Sequence, residues 1–76
     1  MKIALAQMDV IPNRPDKNVE KMLAMIADAK KNLSNIIIFP ELCISGYLLA
    51  DKWTDENYCR DLMEYNSIIQ AASNGI

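Results

Sequence analysis

The sequence predicts an α/β fold built as strand, helix, strand, helix. Three observations carry this. Two short runs, "KIALAQMDV" at 2–10 and "IIIF" at 36–39, are apolar enough to be covered strands. Each run is followed by a segment whose apolar residues step by three and four, the period of a helix. The prolines and glycines fall between these segments rather than inside them.

The first run places Ile3 and Leu5 on one alternating face and Ala4, Ala6 and Met8 on the other. A strand apolar on both faces belongs in the middle of a covered sheet. "IPNRPD" follows and reads as a loop, with two prolines and Asn13. Val19, Met22, Ile26, Ala29 and Leu33 then draw one helical stripe, widened by Leu23 and Met25. Asp16 is the expected N-cap and Glu20 sits in the first turn. Lys30 and Lys31 fall in the last turn, where cations suit the helix dipole. Asn32, Ser34 and Asn35 end the helix.

The second strand, "IIIF", is stopped by Pro40. Strand, helix and strand within residues 2–39 make a βαβ unit, whose crossover implies a parallel pair. "ELCISGYLLADKW" holds no regular pattern and reads as a functional loop. Its large apolar groups, Leu48, Leu49 and Trp53, are expected to pack on the core or on a partner. A second helix is expected over 55–73, with Tyr58, Leu62, Tyr65, Ile69 and Ala72 as its stripe. Thr54 or Asp55 can cap it, and Asn74-Gly75 is a stop signal.

The totals narrow the function classes. The chain has 76 residues and 51% apolar content, which is globular composition in at most one domain. A chain this short buries only about 60% of its unfolded surface and is marginal alone. The helix stop before Ile76 is where a third strand is expected. Residues 1–76 therefore read as the N-terminal portion of a single, incomplete domain; the alternative is a small domain that completes its sheet by oligomerising. A net charge of −2 with no basic stripe gives no footprint for nucleic acid. No apolar run is long enough for a membrane span, and Gln7 and Asp9 interrupt the first run, against a signal peptide. The absence of histidine excludes a histidine-dependent triad within the chain and the usual zinc patterns. Cys43 and Cys59 read as two free thiols of a cytoplasmic protein, a Cys43–Cys59 disulfide being the less favoured alternative, with no CxxC for redox work.

The candidate catalytic residue is Glu41. Function collects at the carboxyl ends of parallel strands. Pro40 cannot continue the ladder, so the chain turns and presents the Glu41 carboxylate over the strand end. Desolvation there would raise its pKa and make it a general base near neutral pH. A strand-end glutamate that caps the next loop or pairs with a lysine is the structural alternative.

"FPEL" at 39–42 followed by "SGY" at 45–47 resembles the nitrilase superfamily of carbon–nitrogen hydrolases. The opening strand, Asn13 in the first loop and Asn18 at the head of the first helix match that pattern too. The resemblance covers essentially the whole chain. It implies the N-terminal βαβα part of a four-layer α-β-β-α sandwich. It also implies a Glu-Lys-Cys triad: glutamate as base for the cysteine thiol, lysine on the oxyanion, and a thioester later hydrolysed by water. Only Glu41 carries over. Lys52 and Cys59 follow it in the right order, but the family's lysine and cysteine come from later, well-separated strand ends. Cys59 lies beside the second helical stripe, where a small thiol is ordinary packing. Cys43, two positions from Glu41, has no counterpart in the family and reads as a packed thiol. The catalytic lysine and cysteine are thus expected beyond Ile76, and these residues alone are expected to be inactive.

Within the superfamily, the motif pair is most similar to the glutaminase domain of glutamine-dependent NAD synthases. That implies release of ammonia from glutamine for NAD synthesis, with Tyr47 as a candidate substrate contact or, alternatively, a loop tyrosine packed on the sheet edge. "LLADKW" departs from the acidic run of that group and keeps a stand-alone amidase or ω-amidase in view. The resemblance implies no cofactor for the hydrolase part, ATP and Mg²⁺ only if a synthetase domain follows, and a homo-oligomer in the full-length protein. The reading from a different class is a non-catalytic α/β module that binds a partner through Leu48–Trp53.

Overall fold

In a computed structural model, the described residues are 1–46, 52 and 54–76. They form β1 (Ile3–Leu5), α1 (Pro15–Lys31), β2 (Ile36–Ile38) and α2 (Glu56–Ala72). The element order is the expected one. The two strands pair in parallel, with Ile3 opposite Ile36, Ala4 opposite Ile37 and Leu5 opposite Ile38. The ladder runs slightly beyond the regular strands: Ala6 N–H donates to Ile38 O at 2.8 Å. Asn35 ties the other end. Its N–H donates to Lys2 O at 2.8 Å, and its Oδ1 accepts from Lys2 N–H at 2.8 Å.

Alternation of exposure continues from Ile3 to Val10, past the end of the regular ladder. Ala4, Ala6, Met8 and Val10 are half-buried, and the residues between them are exposed. Burial is therefore one-sided, contrary to the expectation of a strand covered on both faces. The helices leave the face carrying Ile3, Leu5, Ile36 and Ile38 uncovered. α2 instead packs alongside α1.

The core lies along α1: Val19, Met22, Ile26 and Ala29 are buried. These are the stripe residues, minus one. Leu33 is 82% exposed because the helix stops at Lys31 and Leu33 takes a left-handed φ of 61°. There it serves the C-terminal turn. Leu33 N–H donates to Lys30 O at 3.0 Å, and Ser34 N–H donates to Ala29 O at 2.9 Å. This is the double closure of a Schellman motif, which turns Leu33 away from the stripe.

Asp16 is not the N-cap. The cap position is Arg14, with no side-chain cap bond, because Pro15 opens the helix. Proline suits that position, since its missing N–H is one the helix leaves unbonded anyway. Asp16 pairs instead with Arg14 Nε at 3.2 Å, and that hydrogen bond holds its carboxyl below the usual range. In α2 the expected cap is present: Asp55 Oδ1 accepts from Asn57 N–H at 2.9 Å and Tyr58 N–H at 3.2 Å. Tyr58, Leu62, Tyr65, Ile69 and Ala72 are its half-buried stripe. Among the described residues no helix is long and apolar enough to cross a membrane.

Candidate functional site

The site is the turn that leaves β2. Phe39 and Pro40 are half-buried, and Glu41 opens a turn over 41–45. Gly46 N–H closes it by donating to Leu42 O at 2.8 Å. Leu42, directly after Glu41, takes a left-handed φ of 52°. A residue other than glycine is strained there, and such strain gathers at functional positions. The strand ends beside it frame a recess of about 440 Å³ lined by Leu5, Gln7, Met8, Ile38, Phe39 and Pro40. A second recess, about 500 Å³, lies along β1 under α1, among small side chains such as Ala4, Ala6 and Ala29. Lys2, Asp28 and Ser34 also line it.

Glu41 itself is exposed. The expected desolvation of its side chain is therefore not supplied by these residues. Burial here is concentrated on the sheet side of α1 and at Asn18 and Ser45, and it stops short of the strand end.

Asn18 has the most organised surroundings among the described residues. It is completely buried. Its Oδ1 accepts from Ile11 N–H, and its Nδ2 donates to Ile11 O and to Ile44 O, each at 2.8 Å. Both amide protons and the carbonyl oxygen are thus engaged. The first partner lies in the turn "IPNR", closed by Arg14 N–H donating to Ile11 O at 3.3 Å. Pro12 and a left-handed Asn13, φ 57°, are the residues a type II turn favours at its centre. The second partner lies three residues after Glu41. The two turns meet twice more. Asn13 N–H donates to Ser45 O at 2.9 Å. Gly46, φ 85°, lies so close that a Cβ would fall 2.6 Å from Pro12 Cα. Tyr58 OH bonds Asn13 Oδ1 at 3.2 Å and brings the first turn of α2 to the same place.

Asn18 was visible in the sequence only as a matching residue, not as this junction. One signal was available: positions 18, 22, 26 and 29 share a helix face. A polar residue on a buried stripe must find hydrogen-bond partners.

The other candidates lie around this arrangement. The Lys52 ammonium lies over the Tyr58 ring, 5.2 Å from its centre, in a cation–π contact. Cys59 is half-buried in α2. Cys43 is half-buried in a shallow cavity of about 290 Å³ with Leu42, Ile44, Leu62 and Met63. Burial pushes its thiol up, the reverse of what an attacking thiolate needs. Tyr47, Leu48, Leu49 and Trp53, the candidate substrate contact and the apolar loop groups, lie outside the described residues.

Comparison with known proteins agrees with the geometry. The family model "Carbon-nitrogen hydrolase" matches residues 2–74. A glutamine-dependent NAD(+) synthetase from Acinetobacter baylyi is 42% identical over 50 residues, covering 66% of this chain and 9% of that protein. Proteins of the same name from Xylella fastidiosa and Xanthomonas campestris pv. campestris are 30% and 31% identical over 77 aligned residues. Each alignment covers 100% of this chain and 14% of the relative, so the chain spans a small part of the length of the relatives it matches. No solved structure matches.

Proposed function

The chain belongs to the carbon–nitrogen hydrolase family, and from that membership we propose that it forms the N-terminal portion of a glutaminase domain in which Glu41 is the general base. The observation that carries this is Glu41 at the carboxyl end of a parallel strand pair, within a family match spanning residues 2–74. In this reading Glu41 accepts the proton of a cysteine thiol. The thiolate attacks the side-chain amide carbon of glutamine, and a lysine stabilises the tetrahedral oxyanion. Ammonia leaves, and water then cleaves the thioester to give glutamate. The cysteine and lysine lie outside residues 1–76, so these residues alone do not turn over. The names of the three relatives support glutamine as substrate and NAD synthesis as the use of the ammonia.

The hydrolase chemistry needs no cofactor. ATP and Mg²⁺ belong to a synthetase domain, the setting is cytoplasmic, and the complete protein is a homo-oligomer. Tyr47 is proposed as a substrate contact. Glu41 is exposed in this chain, and in this reading the remaining elements of the domain close over it.

The test is ammonia release from glutamine by the full-length protein and its Glu41→Gln variant. The variant keeps the shape and loses the base, so turnover is expected to vanish while the fold is retained. Activity within about threefold of wild type would remove the general-base role. Strong preference for an ω-amide other than glutamine would favour the stand-alone amidase reading.

A further inference from the structure

We propose that Asn18 is a positioning residue for Glu41, clamping the 41–46 turn against the 11–14 turn; this rests on Glu41 being the base. Asn18 is completely buried, yet none of its side-chain bonds serves α1. Two go to the backbone of Ile11 and one to the backbone of Ile44. The side chain is a bridge between two loops, and both loops depend on it.

The loop that carries Glu41 needs such a bridge. Leu42 is held in the left-handed region, which a non-glycine residue keeps only when its surroundings over-determine it. One end of the turn is fixed by β2. The other end is fixed by the Asn18 bond to Ile44, the Asn13–Ser45 backbone bond and the Gly46–Pro12 contact. If residues 44–46 separate from residues 11–13, Leu42 is free to relax, and the carboxylate one residue before it moves. A misplacement of about 1 Å costs on the order of a hundredfold in rate.

Asn18→Asp is the incisive substitution. It keeps the oxygen facing Ile11 N–H and replaces the Nδ2 donor with an oxygen facing the carbonyls of Ile11 and Ile44. In the full-length protein, kcat on glutamine is expected to fall about a hundredfold with KM changed little. Protonating the introduced carboxyl restores one donor, so the deficit should narrow as pH falls. Ile26→Val, a core change remote from both turns, should leave kcat near wild type. Should Asn18→Asp not fold, Gly46→Ala carries the test from outside α1, since its added Cβ drives Pro12 away. The same loss of kcat is expected. The clamp is overturned if the folded variant retains kcat within about threefold, or if Ile26→Val loses as much. Glu41→Gln assayed alongside separates the two failures. If it is active, the general-base reading has failed and the clamp with it. If it is inactive while Asn18→Asp is active, the clamp alone has failed.

Discussion

Residue type and residue environment carry different information, and the cysteines show it. Cys43 stands two positions from Glu41, close enough in sequence to be mistaken for its nucleophile. Its environment says otherwise: it is half-buried beside Leu62 and Met63, with its thiol pushed up by burial. The neutral thiol is favoured, so the thiolate fraction at a given pH is lower in the folded chain than in the unfolded one. Alkylation of Cys43 by iodoacetamide at pH 8 should therefore be slower in the native protein than in urea, with its pH midpoint displaced upward. Cys43→Ala should leave ammonia release by the full-length protein within a few-fold of wild type. Loss of turnover in that variant would make Cys43 part of the chemistry. Glu41 was legible as a candidate because an acid after Phe-Pro at a strand end is a sequence pattern. The junction that Asn18 makes was not, because its partners are backbone groups of Ile11 and Ile44, which no side-chain pattern announces.

At the scale of elements, periodicity gave the four segments and their order, and it failed at their ends. Ends are decided by backbone conformation. Leu33 continues the arithmetic of the α1 stripe, but Schellman closure places it at a left-handed position exposed to solvent. Asp16 looks like a cap, but the helix starts at Pro15, two residues earlier than that cap would place it, and the cap position falls to Arg14. The first error has a measurable consequence. Leucine in the left-handed region is disfavoured by about 1 kcal/mol or more, a cost glycine does not bear. Its side chain contributes little packing there, being 82% exposed. Leu33→Gly should thus raise stability by about 0.5–1 kcal/mol, after glycine's greater unfolded-state entropy is set against the relief. Urea denaturation measures it, and a drop in the midpoint would mean that Leu33 makes a contact worth more than the strain.

For the whole molecule, surface area is the informative quantity. A compact monomer of 8.6 kDa exposes about 4,700 Å² by the usual scaling. This chain exposes 5413 Å². One contribution to it is the open sheet face. Ile3 and Leu5 are 53% and 69% exposed, and their cross-strand partners Ile36 and Ile38 are 40% and 50% exposed. These four side chains form one apolar patch because register sets Ile3 against Ile36 and Leu5 against Ile38. The sequence showed that both strand faces are apolar, but it could not show which face α1 would cover. That choice follows from the pleat: Ala4 and Ile37 point to one side, and the helix packs there. A contiguous apolar patch of this kind drives association. A polypeptide of residues 1–76 should bind a hydrophobic dye and self-associate at micromolar concentration. Replacing Ile3, Leu5, Ile36 and Ile38 together by threonine keeps strand propensity while removing the patch. Dye binding should fall and the sedimenting species should become monomeric, with helix content unchanged by circular dichroism. Ile37→Thr, on the covered face, should instead lower stability and leave association in place. A wild-type polypeptide that sediments as a dye-free monomer would mean that the face is covered by its own chain, and the packing of α2 against α1 would need to be redrawn.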